Sequence, residues 1–243
     1  MEKYTQIEWD TVVIGSGLAG LCAADSLCNA GLKTLLIDKG RGPGGRLGGR
    51  RFGGGSFDFG AQFFTARTAP FKTTVQQWIQ AGVAEEWYRS YPGQPRGHPR
   101  YRGVPTMTAI AKYLSRGKTL LQSTQVERIA RSPTGWRVFV DQNLTFDTKA
   151  LLITCPVPQT LALLATSNIT LSAEMQNRLQ SVKYERCIAV MAILDSRSTI
   201  PSPGALSMDE GAIAWISDNQ QKNVSTIPAV TIHASAEYSA NNF

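Results

Sequence analysis

The first residues able to do chemistry in this chain are glycines. Gly15, Gly17 and Gly20, with Ser16, Leu18 and Ala19 between them, form a G-x-G-x-x-G turn directly after the apolar run Val12-Val13-Ile14. The first glycine suits a tight turn, the second lets main chain approach a pyrophosphate, and the third lets a helix pack closely on a strand. The free N–H groups and positive dipole end of that helix favour phosphate oxygens. Asp38 closes the next apolar run, Leu35-Leu36-Ile37, at 38 − 15 = 23 positions after the first glycine. A carboxylate there accepts the hydroxyls of an adenosine ribose. The chemistry indicated is dinucleotide binding, and the plain alternative is a βαβ unit that holds no ligand.

A second tract follows at once. Ten of the 21 residues from Gly40 to Gly60 are glycine, and Arg41, Arg46, Arg50 and Arg51 stand among them. Composition alone would allow a flexible linker. A linker has no use for Phe52, Phe57 and Phe59, so the tract reads as main chain brought close to a large planar ligand, with Arg46 forked onto a diphosphate. Asp58 reads as a local turn-former. The run Phe57–Thr65 then reads as the bend that carries main chain past a flavin ring.

The rest of the composition narrows the chemistry. At 243 residues, 42% hydrophobic and 18% charged, the chain suits one large domain or two interleaved ones with a real core. The net charge of +7 favours anions in general. The arginines sit in glycine loops and around Arg96–Arg102, not interleaved with aromatics on one element, so phosphorylated small molecules fit better than nucleic acid. Two separated histidines, His98 and His233, make a metal site improbable, and His98 reads as solvated. Cys22, Cys28, Cys155 and Cys187 form no CxxC, lie in apolar settings and read as buried free thiols. With no apolar run of membrane-span length and no signal-like start, the expectation is the reducing cytoplasm.

Several elements must position these residues. A helix after Gly15–Gly20 places Leu21, Ala24 and Cys28 on one face and stops at Gly31. Residues 67–100 carry a helical stretch (Val75, Trp78, Ile79, Gly82), the aromatic run Trp87, Tyr88 and Tyr91, and a basic, proline-rich loop from Pro92 to Arg102. They read as an inserted piece of a second domain. Thr106 opens a helix stopped by Gly117, and Thr119–Ile129, Gly135–Val140, Thr145–Thr148 and Leu151–Ile153 read as strands, the last broken by Pro156 and Pro158. A helix at Gln159–Ala165 follows. Ser172 caps another helix that sets Met175, Leu179 and Val182 towards a core. Cys187–Leu194, Ala212–Ile216 and Val230–His233 read as strands, the last two joined by a polar loop, Ser217–Thr226.

Together these stretches resemble the flavin amine-oxidase superfamily and, within it, the renalase-like flavoproteins. The resemblance rests on IGSGLAGL, Asp38-Lys39, GPGGR at 42–46 and DFGAQFFT at 58–65, with Ile216-Ser217-Asp218-Asn219, Lys222-Asn223 and Ile232-His233 as the more specific part. It implies an α/β fold in which a Rossmann-like FAD-binding domain (1–66 and 101–165) interleaves with a smaller α+β substrate domain (67–100 and 166–243) built on a mostly antiparallel sheet. It implies FAD as cofactor, held by Gly15 to Gly20, Asp38, Lys39, Gly45, Arg46, Gly60, Ala61, Gln62, Phe63, Val126, Cys155 and Pro156. Arg46 would contact the diphosphate, Gly60–Phe63 the isoalloxazine, and the Val126 main chain the adenine.

The resemblance also implies oxidation of isomeric dihydro forms of NAD(P), with electrons passed to O2 as peroxide. His233 would face the flavin cavity and orient the substrate's carboxamide or ring, and Trp215 is a lesser candidate. A dihydronicotinamide regains aromaticity on losing hydride and needs no strong protein base, which agrees with the lack of a nucleophile–base pair here. Trp87, Tyr88 and Tyr91 suit the alternative of an amine oxidase with an aromatic cage, or a desaturase-like relative. A nucleotide-binding module without activity is the third reading. The superfamily's Gly-Asp motif and closing glycine-rich helix do not occur before Phe243, so the sequence is expected to be a fragment.

Overall fold

A computed structural model describes residues 4, 7–91, 95 and 97–243. Pro92, Gly93, Gln94 and Arg96 of the basic loop, and Met1 to Lys3, Thr5 and Gln6 of the N-terminal stretch, lie outside the described residues. In chain order the elements are β1 (Trp9–Ile14), α1 (Leu18–Asn29), β2 (Thr34–Ile37), β3 (Gly49–Phe52), β4 (Gly55–Asp58), α2 (Ala69–Gln80), β5 (Ala84–Tyr88), β6 (Arg100–Gly103), α3 (Thr108–Leu114), β7 (Thr119–Leu121), β8 (Val126–Ser132), β9 (Gly135–Val140), β10 (Leu144–Ile153), α4 (Val157–Thr166), α5 (Ala173–Gln180), β11 (Ala189–Ile193), β12 (Ala205–Ser207), β13 (Ile213–Asp218), β14 (Ala229–Ala234) and α6 (Ala236–Asn242). They divide into two units, Met1–Gly45 with Leu114–Lys183 and Arg46–Tyr113 with Tyr184–Phe243. Residues 46–66 and 101–113 therefore fall in the second unit.

The first unit is built on a six-stranded sheet, ordered β7-β2-β1-β10-β9-β8. Its first four strands run parallel. β9 and β8 turn back antiparallel. Alternation along the strands decides the packing: Val12, Ile14, Leu35 and Ile37 join Ile129, Val138, Val140 and Phe146 in one buried cluster, with Leu163 and Leu164 of α4 closing it. Val13 and Leu36, at the positions between, are equally buried, as are Leu21 and Ala24 of α1. Gly31 stops that helix in the left-handed region at φ +80.

The second unit carries a four-stranded antiparallel sheet, β11-β14-β13-β12, and two hairpins, β3-β4 and β5-β6. The fold is thus a Rossmann-like parallel sheet with separate antiparallel sheets, as expected.

Several local expectations change. Thr145–Thr148 and Leu151–Ile153 are one strand, β10, whose N-terminal part pairs with β9 and whose C-terminal part pairs with β1. The stretch 119–129 splits into β7 and the start of β8, because residues 122–125 leave the sheet to bond Asp38 and Gly40. Ser172 does cap α5, its hydroxyl accepting the Met175 N–H. Yet Met175 and Val182 are exposed, so that helix turns no full apolar stripe inward. Nor are the cysteines uniformly buried: Cys22 and Cys187 are exposed, Cys28 and Cys155 half-buried, and all four are unpaired. The polar loop 217–226 is instead buried at Ser217, Asp218, Asn219, Lys222 and Ser225.

Candidate functional site

In the first unit the nucleotide turn is shaped by close main-chain approach. A Cβ on Gly20 would stand 2.0 Å from the Gly15 carbonyl oxygen and 2.8 Å from Thr154 Oγ1. Gly15 itself takes φ +103, open to glycine and strained for other residues. A Cβ on Gly17, by contrast, would meet nothing within 4 Å. That empty space lies at the N-terminus of α1, which has no side-chain cap and no acidic residue in its first turn. The uncapped N–H groups and the open face fit an anion.

The surroundings fix this cradle. Gly44 donates its N–H to the Ser16 carbonyl at 2.9 Å, so the GPGG segment is joined to the turn by main chain. Thr154 donates its hydroxyl to the Ile14 and Gly15 carbonyls, at 2.9 and 3.1 Å. Thr154 is a strap that periodicity could not identify. Its neighbours Cys155 and Pro156 are half-buried, the thiol pushed up by burial, and Pro156 caps α4. Val126 opens β8 and packs at the margin of the core.

Asp38, expected as a ribose acceptor, is already engaged by its own chain. Its Oδ2 accepts the Ser16 N–H and hydroxyl, the latter at 2.8 Å, and its Oδ1 accepts the Gly40 N–H at 2.7 Å. A carboxylate has about four acceptor sites, so one remains open, and the Ser16 hydroxyl must turn away to release a second. Lys39 and Ala19 are exposed, Leu18 half-buried. The donor set fits an adenosine diphosphate group.

In the second unit, Gly60 lies against the main chain of Arg46: a Cβ there would stand 2.2 Å from the Arg46 carbonyl oxygen. Ala61 donates its N–H to that same oxygen at 2.9 Å. The Arg46 main chain and the DFGAQ segment are thereby locked together, and the Arg46 side chain stays exposed. The carbonyls of the segment are held by side chains. Gln62 donates to Asp58 O and Gly60 O, and its own Oε1 accepts the Ser217 hydroxyl at 2.7 Å. His233 Nε2 lies 2.8 Å from Phe59 O. A carbonyl only accepts, so the proton is on Nε2 and the Nδ1 lone pair is left as an acceptor. Burial lowers the His233 pKa, the Phe59 carbonyl opposes this, and the Lys222 charge adds to the lowering.

Beside them stands an aromatic group. Phe63 packs on Trp215 with centroids 5.5 Å apart, and Trp215 meets Trp87 edge-on at 6.3 Å. Trp215 is also the residue paired with His233 across β13 and β14. The Arg100 guanidinium lies over the Phe63 and Tyr88 rings, at 5.4 and 4.9 Å, and the Lys222 ammonium lies over Trp87 at 4.9 Å. Asp58, expected as a turn-former, is a fully buried carboxylate paired with Lys222 at 2.9 Å, because β4 carries it into the unit's interior. Sequence reasoning missed Asp58, Lys222 and Arg100 as site residues, since their partners come from distant stretches. His98 is exposed. Among the described residues no group of three or more His, Cys, Asp or Glu could hold a metal, and no helix is long and apolar enough to cross a membrane.

With this geometry in hand, comparison with known proteins places the fold. Residues 13–78 match the NAD(P)-binding Rossmann-like domain family. That match runs from the end of β1 through α1, β2 and the glycine tract after it. Wild-type putrescine oxidase bound to putrescine superposes with a TM-score of 0.76 at 12% identity, over 97% of this chain and 77% of that one. A putative protoporphyrinogen oxidase from Exiguobacterium sp. gives 0.70 at 12%, over 92% and 76%. An oxidoreductase from Methanosarcina mazei gives 0.64 at 13%, over 95% and 80%. At these identities the likeness is one of fold.

Proposed function

We propose that the protein is an FAD-dependent oxidoreductase, renalase-like in taking hydride from a dihydronicotinamide nucleotide and passing the electrons to O2 to give H2O2. FAD, when bound, would supply the hydride acceptor and the route to oxygen. In the first unit, the α1 N-terminus with Gly15 to Gly20, Asp38, Lys39 and Gly45 would hold the adenosine diphosphate half, with Val126, Cys155 and Pro156 bordering it. In the second, Arg46 would serve the diphosphate, and Gly60, Ala61, Gln62 and Phe63 would lie along the ring. His233 would accept from the substrate's carboxamide through Nδ1.

The observation that carries the choice of substrate is that the aromatic faces are already covered by the protein's own cations. Arg100 sits over Phe63 and Tyr88, and Lys222 over Trp87. An aromatic cage for a protonated amine needs those faces bare, and the Arg100 guanidinium repels an amine on approach, whereas the charge of Lys222 is offset by Asp58. A neutral dihydropyridine on an anionic nucleotide meets no such obstacle, and the positive charge favours its phosphates. The four unpaired thiols support a reducing compartment, the cytoplasm.

An amine oxidase is the second reading, favoured by the likeness in fold to putrescine oxidase. Stopped-flow reduction of the FAD-loaded protein decides between them. Isomeric dihydronicotinamide nucleotides should bleach the flavin within seconds and amines should not. Bleaching by amines alone would overturn the proposal.

A further inference from the structure

Trp215 carries a buried donor that the chain leaves without an acceptor. Among the described residues, the buried side-chain nitrogens and oxygens with no hydrogen-bond partner are Ser132 Oγ and Trp215 Nε1. A hydroxyl can donate or accept, whereas an indole nitrogen only donates and in one direction. The fold satisfies other indoles: Trp9 Nε1 donates to Tyr4 O and Trp87 Nε1 to Pro203 O, both at 3.1 Å. Burying such a group unpaired is costly, so each case calls for a partner from outside the chain or for a function.

The side chain opposite Trp215 offers the complement. Trp215 and His233 are direct partners across β13 and β14, and side chains so opposed share a face with Cβ atoms about 4.5–5.5 Å apart. Ser217 and Thr231, two positions along each strand, lie on that same face. The face is fixed against the segment after β4: the Ser217 hydroxyl donates to Gln62 Oε1 at 2.7 Å, and His233 Nε2 to Phe59 O at 2.8 Å. His233 Nδ1 is thereby an acceptor, and among the described residues nothing bonds to it. An unpartnered donor and an unpartnered acceptor are held next to each other on a sheet, beside residues 59–63.

We propose that Trp215 Nε1 and His233 Nδ1 together form a receptor for a primary carboxamide: the indole N–H donates to the amide oxygen, and the amide NH2 donates to the imidazole. A carboxylate in the same place would set an oxygen against the Nδ1 lone pair, and an amine would leave Nε1 without an acceptor. The pair therefore selects the amide over both, and Trp215 is a specificity-determining residue. This deepens the dihydronicotinamide reading above and rests on it. Trp215 Nε1 has no exposed surface of its own, so the amide must displace a neighbour. Trp87 is tied to Pro203 O, whereas Phe63 is half-buried and packs on the Trp215 ring at 5.5 Å, so Phe63 is the ring that gives way.

The test is equilibrium binding of nicotinamide mononucleotide and nicotinic acid mononucleotide, which differ in this group alone, to the full chain with FAD present. The amide should bind about ten-fold or more tightly than the acid. Trp215→Phe keeps an aromatic ring against Phe63 and removes only the N–H donor and the second ring. It should lose about ten-fold in affinity for the amide and little for the acid. Equal affinities in the native chain, or an unchanged ratio in the variant, would overturn the receptor and leave the proposed reaction standing, since flavin bleaching reads that separately. Binding of neither mononucleotide would overturn both. Should the variant not fold, NMR of the native chain decides: the Trp215 indole N–H resonance should move downfield with the amide and stay in place with the acid. A shift common to both ligands, or none with either, refutes the receptor.

Discussion

Alanine at Gly17 and alanine at Gly20 should separate a ligand cradle from a packing contact. At Gly20 the new Cβ would lie 2.0 Å from the Gly15 carbonyl oxygen. Relief needs a shift of more than about 1 Å in buried main chain, and Gly15, fixed at φ +103, is poorly able to give. Overpacking of this kind costs about 1–3 kcal/mol, and helix propensity returns about 1 kcal/mol of it. A contact this close to main chain stands at the upper end of that cost, about 3 kcal/mol, so the net loss of about 2 kcal/mol should lower Tm by about 4–8 °C. Gly17 has φ −68 and ψ 177, ordinary values for alanine, and open space at the Cβ position. Its replacement should cost less than about 1 kcal/mol, the price of a poorer N-cap. A methyl group there would nonetheless stand where a pyrophosphate must approach, and FAD affinity should drop by about ten-fold or more. Scanning fluorimetry read beside equilibrium titration with FAD and NAD distinguishes the two. Undiminished dinucleotide affinity in Gly17→Ala would refute the placement of the phosphate, and unchanged stability in Gly20→Ala would refute the contact.

Three further expectations concern single groups. Thr154→Val removes the hydroxyl that bonds the Ile14 and Gly15 carbonyls. It should cost about 1 kcal/mol in urea denaturation and weaken dinucleotide binding, and binding as tight as the native chain's would rule out the strap. Arg100→Gln takes a cation from Phe63 and Tyr88. In steady-state assays it should lower kcat/KM for phosphate-bearing dihydronicotinamides more than for the riboside, and equal losses would remove Arg100 from phosphate recognition. The fold holds the His233 pKa below 6.5, mainly by burial. Below about pH 6.5 the unfolded chain therefore binds a proton that the native chain does not, so stability should fall with pH there and be fully present above it. His233→Gln should flatten that part of the curve, and an unaltered slope would assign it to other groups.

The nucleotide half was legible in the sequence because its signal is local. Val12 to Ile14, the Gly15–Gly20 turn, the helix and Asp38 are neighbours along the chain, and two periodicities with one turn suffice to join them. Gly60 was readable as a close-approach residue, but its contact, the Arg46 carbonyl, was not. The grouping in the second unit depends on contacts that no local pattern carries. Asp58 and Lys222 lie 164 positions apart, and Phe59 and His233 174 apart. Read locally, an aspartate between aromatic residues is a turn-former and Lys222 is part of a polar loop. Only the pairing of β13 with β14 and the inward course of β4 make them a buried pair, because a charge is set by what surrounds it in space.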